Sequence, residues 1–192
     1  MIVLGLDQSP RGIGFAFGEP GSVPTRGYRE NPDFGDNTAR LGVDVYRWAQ
    51  GFIREHKIER IYYEQILVRK HGSFDAHVFH KQARVVGGIE LAAAEAGLAD
   101  EAYEVLVADW RREFHHGMQP QRDKGDISAA WKALALKECA ARNWWTEDHN
   151  VAEACGIWAF GCLCEDPIHR ARSRLAKRRA QHEQDEERRA CL

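Results

Sequence analysis

The segment IVLGLDQSPRGIGFAF, residues 2–17, has the pattern of two adjacent β-strands. Its first five residues form an apolar run typical of a central strand, and the run ends at Asp7. The SPRG that follows indicates a turn, because Pro and Gly both interrupt regular structure. In IGFAF the bulky residues alternate with Gly14 and Ala16. This alternation predicts a second strand that pairs antiparallel with the first.

Beyond this hairpin, hydrophobic spacing predicts alternating helices and strands. Leu41, Val45, Trp48 and Phe52 recur at helical intervals, after a cap at position 36, 37 or 38. The other segments are, in chain order, a short strand near 25–30, a strand over 58–64, a helix over 74–96, a strand over 103–108, a surface loop over 110–125, a helix over 126–142 and a helix from 148 or 149 onward. This order predicts an α/β fold with a mixed sheet and helices on its faces.

Composition suits one folded domain followed by a charged extension. The chain has 192 residues, of which 44% are hydrophobic, enough for a substantial core. Residues 1–165 form the predicted domain. Residues 166–192 are predicted to be helical or partly disordered, because six basic residues lie between positions 170 and 179 and few apolar ones accompany them.

Several classes of protein are disfavoured by the same composition. No apolar run approaches the roughly 18 residues that a membrane span needs, and the opening residues lack the basic start of a signal peptide. The odd number of cysteines, five, indicates reduced thiols in a cytoplasmic protein. Cys162 and Cys164 are too close for a zinc-binding CxxC pair.

Three acidic residues lie in apolar surroundings. Asp7 ends the first strand, and Glu64 ends the fourth strand within IYYEQIL. If these strands pair in parallel, both acids open on one edge of the sheet, where ligand sites form. Glu153 lies among apolar residues of the last helix. Each acid alone has a simpler explanation: a turn residue, a buried ion pair with Arg, and an exposed helix position, respectively.

Taken together, the three acids indicate a metal site. Clustered carboxylates repel one another and tend to take up protons, whereas a divalent cation stabilises their charged form. Oxygen ligands suit Mg²⁺ or Mn²⁺. Two such ions about 4 Å apart can activate water and stabilise the leaving oxygen of a phosphodiester.

Three ordered motifs, GLDQSPRGIGFAFG, IYYEQIL and DHNVAEACGIWA, resemble those of the RuvC-type Holliday junction resolvases, particularly their phage-type branch. The resemblance covers roughly residues 1–163 and implies a ribonuclease H-like fold with a five-stranded mixed sheet. It also implies a homodimeric endonuclease that cleaves Holliday junctions or other branched DNA with Mg²⁺ or Mn²⁺, in the cytoplasm of a bacterial or phage-infected cell. Asp7 and Glu64 would share two ions, and Glu153 would complete the second ion's site.

The chain departs from the family pattern at two positions. Glu153 stands where the family usually has Asp, and Asn150 stands where it tends to have another acid. Position 150 shares a helix face with Glu153, as does His149. Asn150 is the favoured fourth ligand, with Asp148 and His149 as substitutes.

Basic residues flank these motifs and predict contacts to the DNA backbone. They are Arg69, Lys70, Arg111, Arg112 and Lys124. His115 and His116 are predicted to be solvated in the surface loop, with proton transfer as the alternative. The indole side chains of Trp110, Trp144 and Trp145 are predicted to lie in the core or an interface.

Two other functions are compatible with the sequence. One is a DNA-binding module that recognises branched structure through a weakened nuclease site. The other is a fragment of an actin-like phosphotransferase, whose phosphate-binding hairpin has a similar GLDxS opening. A complete protein of that kind needs a second, similar domain.

Overall fold

The first hairpin forms as the sequence predicts. In the computed structural model, which describes residues 1–35, 37–66, 75–120 and 127–168, Asp7 lies opposite Gly14 on the antiparallel partner strand. The Ser9 backbone N–H donates to the Gly12 carbonyl over 2.9 Å, and the Ser9 hydroxyl also donates to that carbonyl over 3.0 Å. These bonds close the turn directly after Asp7.

Five strands form one mixed sheet, in the spatial order β3-β2-β1-β4-β5. The strands are β1 (Val3–Gln8), β2 (Gly12–Gly18), β3 (Thr25–Glu30), β4 (Arg60–Glu64) and β5 (Ala102–Val105). The first three are antiparallel neighbours, whereas β1 with β4 and β4 with β5 are parallel pairs. The first and fourth strands therefore meet the condition under which Asp7 and Glu64 open on one edge of the sheet.

Within the described residues, five α-helices cover the two faces of this sheet. The helices are α1 (Thr38–Glu55), α2 (Ala76–Glu95), α3 (Val107–Phe114), α4 (Ile127–Ala141) and α5 (His149–Glu165). Helix α1 is capped by Asn37, one of the three predicted candidates, whose side chain accepts from the Arg40 N–H. Helix α2 is capped by Asp75, which accepts from two backbone N–H groups.

The period of two along each strand divides the core into two halves. In β1, Leu4 and Leu6 face the half that contains α1 and α2. Val3 faces the other half, which contains α3, α4 and α5. Side chains alternate along a strand, so Asp7 projects to the same face as Val3. Glu64 alternates in the same way with Tyr63, which lies in the first half.

Helix α5 lies unusually close to the sheet because glycines face it. A β-carbon added to Gly5 would lie 2.3 Å from the Trp158 backbone nitrogen, and one added to Gly14 would lie 2.3 Å from the Asn150 carbonyl oxygen. These two contacts fix the middle and the first turn of α5 against β1 and β2. Glu153 lies between them, and this places its carboxylate near Asp7.

One predicted segment is wrong. Residues 107–114 were predicted as the end of a strand followed by a surface loop, but they form helix α3, and β5 ends at Val105. The reason is that Trp110 and Phe114 repeat at a helical interval of four and are both buried in the half of the core that contains α5. Burial of these two rings outweighs the local alternation around Tyr103 and Val105.

Some predictions concern features that the described residues address only in part. None of the described helices is both long and apolar enough to cross a membrane. In the part of the chain that the structure describes, no disulfide joins Cys139, Cys155, Cys162 or Cys164. Residues 169–192 lie outside the described residues, so the charged extension over 166–192 stays a prediction.

We expect Gly5→Ala to destabilise the protein by about 1–3 kcal/mol, because the new methyl group overlaps the α5 backbone. Gly87→Ala is the matched control: Gly87 lies in α2, and a β-carbon there meets nothing within 4 Å. This control should raise stability by about 0.5–1 kcal/mol through helix propensity. Urea unfolding of both variants is the measurement, and equal effects would contradict the close packing of α5.

Candidate metal centre

Three acidic side chains approach one another on the α5 face of the sheet. Asp7 and Glu64 each follow the last residue of a paired register, Leu6 opposite Tyr63, at the carboxyl ends of the parallel strands β1 and β4. Glu153 faces them from the second turn of α5 and is only 6% exposed. Three separate elements therefore deliver one carboxylate each to the same edge.

The charge of Asp7 is the least favourable of the three. Burial raises the pKa of Asp7 well above its usual range, and the nearby carboxylates of Glu153 and Glu64 raise it further. The cations of Arg111 and Lys132 act in the opposite direction and lower this pKa. Asp7 thus lies where negative charge accumulates and where an added cation would be stabilised.

Hydrogen bonds to both its side chain and its backbone hold Glu64 in place. Its Oε2 accepts a hydrogen bond of 3.0 Å from the Trp110 indole Nε1. The Gln8 amide donates to the Glu64 carbonyl and accepts from the Glu64 N–H, so it joins the ends of β1 and β4. Burial raises the pKa of Glu64, the indole hydrogen bond lowers it, and Glu153 raises it.

Glu153 forms an ion pair with Arg111. The Arg111 Nη2 donates to Glu153 Oε1 over 2.7 Å. The guanidinium also lies over two indole rings, 5.2 Å from the Trp110 centroid and 5.0 Å from the Trp131 centroid. The third acid is therefore paired with an internal cation.

The start of α5 positions the other predicted ligands. Asp148 is the N-cap, and its Oδ1 accepts from the N–H groups of Asn150 and Val151 over 2.7 and 3.2 Å. This capping bond explains Asp148 without a metal. His149 is the first helical residue, and Asn150 lies one turn before Glu153 on the same face.

The predicted DNA-contacting residues divide into two groups. Arg111 and Arg112 lie on α3, the first against the carboxylates and the second with its side chain 62% exposed beside Asp109 and Glu113. The remaining three lie outside the described residues: Arg69, Lys70 and Lys124.

His115 corrects another prediction. It was expected to be solvated, but it is fully buried among the rings of Phe114, Trp110 and Trp131. Burial lowers its pKa to about 4, so the imidazole is neutral at physiological pH. His116, in contrast, has a 68% exposed side chain, 3.4 Å from Glu138.

Sequence reasoning missed three side chains that shape the site. Gln8 follows the first acid directly and could have been noticed as an amide in a buried strand. The hydrogen bond of Trp110 had no sequence signal, since it joins residues 46 positions apart. Lys132 on α4 acts on Asp7, but nothing in the local pattern distinguishes it from other helix lysines.

The oxygen donors of the three acids suit a metal ion, but the positions of these acids among the described residues do not form a metal site. The three carboxylates supply only oxygen donors, and burial, followed by the two neighbouring carboxylates, raises the pKa of Asp7. Within the four described ranges, however, no three His, Cys, Asp or Glu side chains are arranged to hold an ion. The residues fit a divalent cation in charge and chemistry, while the pair with Arg111 sets the position of Glu153.

We expect Asp7→Asn to stabilise the metal-free protein at pH 7 by about 1 kcal/mol, because it removes a charge repelled by two neighbours. The folded state of the wild type binds this proton more tightly than the unfolded state does. The stabilisation from Asp7 is therefore present below pH 4 and lost as the pH rises through its raised pKa. The advantage of Asn should accordingly shrink on acidification.

Urea unfolding between pH 4 and pH 8 in a chelating buffer measures this difference. Glu19→Gln, an exposed acid at the opposite end of β2, is the control and should show no such pH-dependent gain. A lower stability of Asp7→Asn at every pH would contradict the electrostatic description of the cluster.

Comparison with known proteins identifies solved structures with a similar fold. No protein-family model matches the sequence, and no curated protein matches it. Among solved structures, Thermus thermophilus RuvC in complex with Holliday junction substrate matches with a TM-score of 0.60 and 10% identity, over 83% of this chain and 92% of that chain. A second T. thermophilus RuvC structure matches with a TM-score of 0.59, 12% identity and the same two coverages.

The yeast mitochondrial Holliday junction resolvase Ydc2 is also similar, with a TM-score of 0.51 and 10% identity, over 83% of this chain and 78% of that chain. At these identities the likeness concerns the backbone alone. The chain thus has the predicted α/β fold of the ribonuclease H-like kind, with the sheet and helix arrangement of the RuvC structures.

Proposed function

We propose that this protein is a metal-dependent endonuclease that cleaves Holliday junctions or other branched DNA by hydrolysis of phosphodiesters. The observation that supports it most strongly is the approach of Asp7, Glu64 and Glu153 on one face of the sheet, at the carboxyl ends of β1 and β4. The sharing of this fold with solved resolvases gives independent support.

Asp7 and Glu64 would share the two Mg²⁺ or Mn²⁺ ions, and Glu153 with Asn150 would complete the site of the second. Asp148 is a weaker candidate because its Oδ1 already caps α5. When bound, the ions would activate the attacking water and stabilise the leaving oxygen. The protein's own part is to fix the carboxylates: Gln8 holds the end of β4, and Trp110 orients Glu64.

The DNA backbone would pass over the same face. Arg112 is exposed one residue after Arg111, which borders the carboxylates, so the last turn of α3 presents positive charge beside the site. Arg69, Lys70 and Lys124 are proposed to add phosphate contacts on sequence grounds. Such contacts neutralise phosphates without reading bases, so binding should weaken steeply with salt.

A homodimer is part of the proposal, because a two-fold symmetric enzyme can cut two strands of a junction at equivalent positions. Membership of the phage-type branch is proposed from the three sequence motifs alone. Neither the dimer nor the branch depends on the geometry of the carboxylate cluster.

A DNA-binding module with a weakened nuclease site is the second candidate. Two observations favour it: Asn150 is neutral where an acid would add charge, and Arg111 already occupies Glu153. The actin-like alternative rests on the GLDxS opening alone.

We expect Asp7→Asn to lose junction cleavage by at least about 10³-fold while it retains junction binding. The amide keeps the shape of the side chain but removes the charge that holds the metal. Cleavage of a four-way junction in Mg²⁺ and then in Mn²⁺, with binding measured in parallel by gel shift in a chelator, provides the test.

The exposed variant Glu19→Gln serves as the control and should cleave like the wild type. Unchanged cleavage by Asp7→Asn would contradict the assignment of Asp7 to the metal. Binding without cleavage by the wild type, in both metals, would instead favour the DNA-binding module.

A further inference from the structure

Two consecutive residues in the middle of helix α3 donate hydrogen bonds to two of the three acids. Trp110 donates to Glu64 over 3.0 Å, and Arg111 donates to Glu153 over 2.7 Å. One helix turn therefore sets the positions of two carboxylates that come from β4 and α5. Movement of either side chain would change the geometry of the cluster.

Arg111 is a largely buried cation paired with one of the three acids. The Glu153 side chain is 8% exposed and that of Arg111 is 21% exposed, so water screens their charges poorly. The Arg111 Nε is buried and has no hydrogen-bond partner among the described atoms. The guanidinium is thus incompletely satisfied where it lies, although it balances negative charge that the fold brings together.

We propose that Arg111 competes with the metal ion for Glu153. Its guanidinium binds the Glu153 carboxylate and must release it before a divalent cation can bind there. The proposal rests on the proposed metal-dependent function and adds a residue that sets the affinity for metal. A guanidinium and a divalent cation both bind carboxylate oxygens, and their like charges repel when both lie beside Glu153.

The structure provides a place for the released side chain. A cavity of about 540 Å³ lies beside it, lined in part by Leu106, Arg112, Met118 and Trp131. The Arg111 guanidinium already lies over the Trp131 ring, which also lines this cavity, so a cation–π contact with Trp131 would continue to stabilise the cation as it moves away from Glu153. In that position the guanidinium would face the path proposed for the DNA backbone, where a phosphate could replace the carboxylate as its partner.

Calorimetric titration with Mn²⁺, without DNA, tests this competition. We expect Arg111→Gln to bind Mn²⁺ about tenfold more tightly than the wild type, because one competing charge near the site is removed. Arg112→Gln is the matched control: it removes the same charge one residue away, from an arginine that pairs with Asp109 and Glu113 and not with the cluster. Its affinity for Mn²⁺ should stay within about twofold of the wild type.

Arg111→Met keeps an unbranched apolar side chain beside the indole rings and replaces the glutamine variant if circular dichroism shows that the latter is unfolded. Wild-type affinity in a folded Arg111 variant would overturn the competition and leave the nuclease proposal intact. Weaker binding would also overturn it, since Arg111 would then be positioning Glu153 for the metal. Absence of Mn²⁺ binding in every protein, the wild type included, would overturn both proposals together.

Discussion

The repulsion among three partly buried carboxylates is the constraint on which the rest of the site depends. Asp7, Glu64 and Glu153 come from three elements. The fold holds them together although Glu64 and Glu153 both raise the free energy of charging Asp7. The glycines at positions 5 and 14 permit this arrangement, because without a β-carbon they let α5 lie directly on β1 and β2. Such an arrangement is costly for stability alone, and a bound cation would relieve the cost.

In the protein by itself, side-chain cations and hydrogen-bond donors offset part of that cost. Arg111 neutralises Glu153, the indole of Trp110 stabilises the charged form of Glu64, and Lys132 acts on Asp7 from α4. The partners come from α3 and α4, which pack on the same half of the core as α5. The hydrophobic burial of Trp110 and Phe114 is therefore linked to the electrostatics of the site: the helix that fills the core also delivers the counter-charge.

Local patterns predicted the parts of this structure that local physics determines. The hairpin and the positions of Asp7 and Glu64 at strand ends follow from alternation and turn residues, whereas the parallel pairing of β1 with β4, which brings the two acids together, entered only as a condition. Helix α3 and the burial of His115 did not follow, because the first depends on packing against α5 and the second on the rings of Trp110, Phe114 and Trp131. The pairing of Arg111 with Glu153 joins residues 42 positions apart, and no sequence spacing indicates it.

Diffraction from crystals soaked in Mn²⁺, with the anomalous signal used to locate the metal, tests the central claim most directly. The account predicts a manganese ion bound by carboxylate oxygens of Asp7 and Glu64, with Glu153 released from Arg111 toward the metal. A crystal in which manganese binds elsewhere, or does not bind at millimolar concentration while Arg111 and Glu153 remain paired, would contradict it.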